Sequence, residues 1–173
     1  ILSYAFLSAL SGFIDDKYKV NPGTKILLQS IPIFFLIDNN LYLLDLGDYA
    51  QIGILKLGSF DKVFTFVCCI FILNACNYTD GIDGLLPLIA IIIIGNFIFL
   101  SYHFNKNELA MYYALILIPL FVHSIFNLGI IKGFKIFLGD SGSGLIGFII
   151  AFLSIYNYKF ESIHPVLIIW SML

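Results

Sequence analysis

The sequence contains no arginine, and only 12% of its 173 residues are charged, where a soluble domain carries roughly 25%. Lysine supplies all of the basic charge and the formal net charge is -2, so no basic footprint for nucleic acid is present. Cysteine is scarce. Cys68, Cys69 and Cys76 make no CxxC pair and no Cys/His cluster, which argues against a thiolate metal centre and leaves three small buried hydrophobes. No basic stretch followed by a short apolar run and a cleavage site is seen at the start of this sequence, so the expected localisation rests on the apolar runs alone.

What remains is apolar: 60% of the residues are hydrophobic and 17% aromatic. The run 85–102 has no charged residue and 109–131 has only His123 as a titratable base. Each is close to the ~20 residues that cross a bilayer core. Apolar runs and turn residues predict helices near 1–14, 24–37, 60–76, 85–102, 109–128, 143–156 and 163–173. The expected fold class is therefore all-α, a polytopic transmembrane helix bundle with about seven spans. Because Ile1 and Leu173 both fall inside apolar runs, the expectation is a single transmembrane domain over 1–173, truncated at both ends.

If every helix crosses the bilayer, alternate connections share a side. The first, third and fifth then hold Asp15, Asp16, Asn77, Asp80, Asp83 and Asp140, with most of the Gly-Asp sequence. Lys17, Lys19, Lys25, Lys132 and Lys135 lie on that face, against Lys56, Lys62, Lys106 and Lys159 opposite. The excess points weakly to the cytoplasm. The second connection is long, and its LYLLDLGDY stretch reads as a short amphipathic or strand-like segment at the other surface. His103 and His164 fall in connections on that side, and His123 within a span reads as a hydrogen-bonded structural residue.

Three polar segments carry the chemistry. In GFIDDKYKVNPGTKILLQ (residues 12–29), adjacent carboxylates repel unless a cation or hydrogen-bond donors compensate them, while Lys25 either snorkels or holds a phosphate. NACNYTDGIDGLL (residues 74–86) spaces Asn77, Asp80 and Asp83 by three, which on a helix is one face of about 120°, with Gly81 and Gly84 able to break it. KIFLGDSGSGLIGF (residues 135–148) sets Asp140 among glycines, with Ser141 or Ser143 placed to cap the next helix. Each segment alone is compatible with a solvated helix end, a turn or a cap. Their convergence on one face makes a strongly acidic site, and a hard cation such as Mg²⁺ is held by one or two carboxylates plus substrate phosphates.

Together these segments resemble the polyprenyl-phosphate N-acetylhexosamine-1-phosphate transferases, relatives of phospho-MurNAc-pentapeptide translocase. The first resembles that family's aspartate-pair segment, the second its NxxNxxDGxDGL segment and the third its GD-x-GS segment, in matching order over nearly the whole chain. The wording of DGIDGLL and GDSGSGLIGF is closer to the UDP-GlcNAc type. The resemblance implies Asp15 and Asp16 as the essential pair, Asp80 as a further catalytic-site aspartate, and Asp140 and Asn77 as ligands of Mg²⁺, with Mn²⁺ as a substitute. It implies Lys25 on the pyrophosphate, Asp83 facing uracil and Phe137 stacked on it. The implied partners are a UDP-N-acetylhexosamine, undecaprenyl phosphate and the bilayer, with a homodimer as one compatible assembly.

The implied reaction passes N-acetylhexosamine-1-phosphate, GlcNAc-1-phosphate first among the options, to the polyprenyl phosphate with release of UMP. It starts cell-envelope polysaccharide synthesis from a multi-pass protein of the inner membrane whose site faces the cytoplasm. The alternative within the class is phospho-MurNAc-pentapeptide transfer. A transporter or flippase is the alternative outside it, but that reading calls for ionisable residues within the spans, and here they cluster at span ends. The family also has further spans and a His-rich loop that this sequence does not contain.

Overall fold

The computed structural model describes residues 2–49, 53–131 and 133–172. Lys132, counted above among the lysines of the acidic face, lies outside the described residues. The elements in order are α1 (Leu2–Tyr18), α2 (Pro22–Asp38), β1 (Asp45–Tyr49), β2 (Gly53–Lys56), α3 (Asp61–Thr79), α4 (Leu85–His103), α5 (Asn107–Asn127), α6 (Gly139–Glu161) and α7 (Pro165–Met172). A 3₁₀ turn at Gly58–Phe60 leads into α3.

Every expected helix has a counterpart, and the fold is a helical membrane-type bundle with one small hairpin. Among the described residues, four segments are long and apolar enough to cross a bilayer: Gly58–Thr79, Leu85–His103, Asn107–Asn127 and Gly139–Glu161. Helices α1 and α2, at 17 residues each, lie at the lower end of the ~17–25 residues that a crossing takes, and α7 is described over 8. Length and composition therefore support four of the expected seven spans.

Helix α6 is the centre of the bundle. It packs against α1 on one side and α3 on the other, α2 closes against α1 and α3, and α4 pairs with α5. Lipid tails are as apolar as leucine, so helices in a bilayer gain from close contact between small residues and from polar bonds rather than from hydrophobic burial. The α1–α6 contact follows this rule. Ser8 Oγ donates to the Gly144 carbonyl at 3.0 Å, and a Cβ placed on Gly12 would lie 2.2 Å from the Asp140 carbonyl oxygen. On the other side of α6, a Cβ on Gly147 would lie 2.9 Å from Leu73 Cα of α3.

The strand-like reading of the second connection is borne out by β1, which pairs antiparallel with β2 through Asp45–Lys56, Asp48–Ile54 and Tyr49–Gly53, with an irregularity between the first two pairs. His164 Nε2 lies 3.1 Å from the Asp48 carbonyl oxygen and Tyr158 Oη accepts from Asp45 N at 3.0 Å, which fastens the hairpin to the far end of the bundle. Among the described residues, His123 Nε2 is buried with no hydrogen-bond partner, so the hydrogen-bonded role expected of it is not met at that atom.

Candidate active site

Helix α1 continues through the aspartate pair to Tyr18, so Asp15 and Asp16 sit on a helical turn and not in the connection where the sequence reading put them. Successive helical side chains diverge by about 100°, and the two carboxylates accordingly go to different partners. Asp15, only 7% exposed, receives Lys25 Nζ at 2.8 Å. Asp16 turns to the start of α6, where its Oδ1 accepts from Asp140 N at 2.9 Å and its Oδ2 accepts from Ser141 N at 3.0 Å and Ser141 Oγ at 2.8 Å. The mutual repulsion expected of the pair is thus offset by an ammonium for one and by N–H and O–H donors for the other.

Lys25 owes its position to a well-formed helix start. Asn21 Oδ1 accepts from Thr24 N at 2.8 Å and Pro22 occupies the first turn, a position where its missing N–H has no helical partner to lose. One turn on, the Lys25 ammonium meets three oxygens from three helices: Asp15 Oδ2 at 2.8 Å, Asp140 Oδ2 at 3.1 Å and Asn77 Oδ1 at 3.1 Å. Asn77 lies in the last turn of α3, and its Nδ2 donates to Asp140 Oδ1 and, at 3.0 Å, to Ser143 Oγ. The three sequence segments therefore close on one another through Lys25, Asp140 and Asn77.

Helix α6 begins at Gly139, earlier than the expected start near 143, because its cap comes from another helix. The Asp16 carboxylate occupies the N-terminus that Ser141 or Ser143 was expected to cap, and carboxylates are favoured there by the free N–H groups and the helix dipole. Gly139 has φ +65°, and a Cβ on it would lie 3.0 Å from Asp16 Oδ2. Glycine is required there on both counts.

The shared helical face expected of Asn77, Asp80 and Asp83 is not formed. Helix α3 ends at Thr79, Asp80 is its C-terminal cap, and the chain turns through Gly81 and Gly84. Asp83 leaves the cluster and pairs with Lys135 Nζ at 2.5 Å. The same ammonium lies 5.1 Å from the centre of the Phe137 ring. Asp83 and the exposed Phe137 thus form a second group around Lys135, a residue that the sequence reading counted only as surface charge.

Asn127 was also missed. Its Oδ1 accepts from Gly84 N and its Nδ2 donates to the Ile136 carbonyl at 2.8 Å, so this buried amide fastens the DGIDG turn to the loop that leads to Asp140. The only sequence signal for it is a polar residue at the end of a long apolar run.

Asp80 is pushed up to about 6 from the ordinary 3.8 by partial burial first, then by the charges of Asp140 and Asp16, against a hydrogen bond from Gly139. A raised carboxylate keeps a proton in the folded chain that the unfolded chain has already lost. In chelator-treated protein its stabilising effect is full below about pH 4 and disappears as pH rises through about 6. Thermal unfolding across that window should therefore show the wild type losing stability with rising pH, and Asp80→Asn should flatten the decline. A wild-type decline that persists unchanged in Asp80→Asn would assign it to another group.

Among the described residues, no group of three or more His, Cys, Asp or Glu side chains is arranged to hold a metal by itself. The donor set nevertheless suits a hard cation. Asp140 and Asn77 offer a carboxylate and an amide oxygen, both already turned toward the position held by the Lys25 ammonium. Magnesium commonly takes one or two carboxylates and completes its shell with water and substrate phosphate.

Residues 1–158 match the family described as glycosyl transferase family 4. The chain is 30% identical over 173 residues to the undecaprenyl-phosphate alpha-N-acetylglucosaminyl 1-phosphate transferase of Yersinia pestis, covering 98% of this chain and 47% of that protein. It is 27% identical over 173 residues to the protein of the same name in Escherichia coli strain K12, with the same coverage. It is also 35% identical over 157 residues to the phospho-N-acetylmuramoyl-pentapeptide-transferase of Dictyoglomus turgidum, covering 87% of this chain and 50% of that protein. The chain spans about half the length of these curated relatives. With a match over most of its length and with apolar helices that embed it in a membrane, the chain belongs to glycosyl transferase family 4.

Proposed function

We propose that the protein of which this chain is a part transfers N-acetylhexosamine-1-phosphate from a UDP-sugar to undecaprenyl phosphate. The observation that supports this most is the Lys25 ammonium held at 2.8 to 3.1 Å by Asp15, Asp140 and Asn77, a cluster of one cation and two carboxylates at the ends of apolar helices that is built from all three polar segments. The relatives named above favour GlcNAc-1-phosphate, and the Dictyoglomus relative keeps phospho-MurNAc-pentapeptide as the second transferred group to test. A water-soluble nucleotide donor and the modest lysine excess support a site on the cytoplasmic side of the inner membrane.

In this reaction a phosphate oxygen of the acceptor forms a bond to the β-phosphorus of the UDP-sugar. The bond from that phosphorus to the oxygen bridging the two phosphates breaks, and UMP leaves with the electron pair. Phosphoryl transfer asks a protein mainly for positioning and charge neutralisation. Magnesium held by Asp140 and Asn77 would supply part of that neutralisation. Lys25 brings a mobile ammonium to the phosphates, and Asp15 keeps it aimed. Asp16 fixes the first turn of α6 and with it the direction of Asp140. Asp83 and Phe137 receive the uracil, edge and face respectively, with Lys135 between them in the free protein.

Asp15 serves here as an orienting group and not as a base, since a phosphate monoester with a second pKa near 6 is already mostly dianionic at neutral pH. Asp15→Asn should therefore lose about ten- to a hundredfold in rate, with a pH–rate profile of unchanged shape, because the loss is of a charge-assisted contact worth roughly 1.5–3 kcal/mol. A phospho-aspartate trapped in a single turnover would overturn this role.

The assay for the function uses the complete protein in membranes, with undecaprenyl phosphate, Mg²⁺ and radiolabelled UDP-N-acetylglucosamine or UDP-MurNAc-pentapeptide in parallel. Label in the lipid phase with one equivalent of UMP is the expected result. No lipid-linked label from any UDP-sugar would refute the assignment.

A further inference from the structure

Helices α2 and α3 run antiparallel, the start of one beside the end of the other, and at that end Lys25 Nζ donates to Asn77 Oδ1 at 3.1 Å. Gln29 follows Lys25 by four residues on α2, and Asn74 precedes Asn77 by three on α3. Both spacings keep side chains on one helical face, so the two amides meet as a second rung beneath the first. Asn74 Nδ2 donates to Gln29 Oε1 at 3.1 Å. It also donates to the Ile70 carbonyl of its own helix at 2.8 Å, and this fixes the orientation from which the amide reaches across.

Gln29 is buried, about 6 Å deeper along α2 than Lys25 at ~1.5 Å per residue. An apolar side chain of the same size would fill that place without the cost of burying an amide, so packing alone does not account for the pair. Farther along the same two helices Phe34 stacks on Phe66 with ring centres 5.2 Å apart. Apolar contact of that kind is non-directional and lets one helix slide on another, whereas a hydrogen bond weakens steeply as its angle closes. The amide rung therefore sets the register that the aromatic contact leaves free.

We infer that Gln29 and Asn74 are positioning residues for the transfer reaction: their bond fixes α2 against α3 and so sets where the Lys25 ammonium meets Asn77 and Asp140. Neither amide touches substrate. Lys25 is the link, because its contacts with Asp140 Oδ2 and Asn77 Oδ1 are both 3.1 Å long and a slide of α2 moves the root of that side chain relative to both partners. A displacement of about 1 Å arising away from the chemistry can cost about a hundredfold in rate. The inference rests on the transferase reading and adds two residues that it does not use.

The test measures melting and transfer on the same membrane preparations of the complete protein. Asn74→Leu alone leaves Gln29 Oε1 without its donor and should lower both. Gln29→Met combined with Asn74→Leu removes both partners and nearly keeps their volume, an exchange that is close to neutral for folding. This paired variant should melt near the wild type yet transfer about tenfold more slowly, with the loss in kcat and the donor KM within about twofold, the pattern of a contact made in the transition state. Added to Lys25→Met, the same pair should slow transfer by less than about twofold more, because residues in one network do not act additively. A folded paired variant with wild-type kcat would overturn the inference, and so would an equal loss from the pair with and without Lys25. In both results the unaltered protein still transfers, whereas failure of the transferase reading shows as no lipid-linked label from the unaltered protein itself, and the inference then falls with it.

Discussion

Lys25→Met is expected to lower the transfer rate of the complete protein by about a hundred- to a thousandfold, the range seen when one preorganised donor is removed from a charge-stabilising site. Methionine keeps the length of the side chain and removes its charge. Asp15 Oδ2 and Asp140 Oδ2, both now held to one ammonium at 2.8 and 3.1 Å, would be left facing each other, and the substrate phosphates would meet net negative charge. Lys25→Arg should restore only part of the loss, because a planar guanidinium does not reproduce a point charge shared among three oxygens on different helices. Initial rates at saturating donor, with a melting curve to confirm folding, make the comparison. A Lys25→Met rate within threefold of wild type would mean that the ammonium has no part in transfer.

Gly12→Val should abolish transfer by a different route. A Cβ at position 12 would lie 2.2 Å from the Asp140 carbonyl oxygen and 2.6 Å from Ser141 Cα. These are backbone atoms, so no side chain can swing aside and α1 must move away from α6. That separation pulls the Asp16 carboxylate from Asp140 N and Ser141 N and breaks the Ser8–Gly144 bond. Overpacking of this kind costs about 1–3 kcal/mol, and lost positioning is added to it in the rate. Gly12→Val should therefore melt earlier and fall below detection in the transfer assay, with Gly12→Ala intermediate. Wild-type melting and rate in Gly12→Val would contradict the close α1–α6 contact.

The order and approximate extent of the helices were legible in the sequence because long apolar runs between turn residues leave little choice in a bilayer. The convergence of the three polar segments was legible too, from the alternation of connections. Helix ends were harder. Asp15 and Asp16 read as part of a loop, and GDSGSG reads as a loop because glycine and serine are poor helix formers, yet each segment is helical because it meets the other. The Asp16 carboxylate caps α6 from another helix, a contact across more than a hundred residues that no local pattern carries.

The spacing of Asn77, Asp80 and Asp83 suggested one face only on the condition that the helix continued. Gly81 and Gly84 ended it, and Asp83 found Lys135 instead. Lys135 and Asn127 were overlooked for the same reason: a lone lysine in a loop and a lone asparagine at a span end acquire meaning only through partners far away in the chain.

The central claim is that segments from α1–α2, α3 and α6 act as one site through Lys25, Asp140 and Asn77. A double-mutant cycle on the transfer rate of the complete protein tests it most directly, using Lys25→Met, Asn77→Ala and the pair together. Residues in one network typically couple by 0.5–3 kcal/mol, so the double variant should be slower than either single variant by much less than the product of their effects. Effects that multiply, within experimental error, would contradict the claim that the segments work as one site.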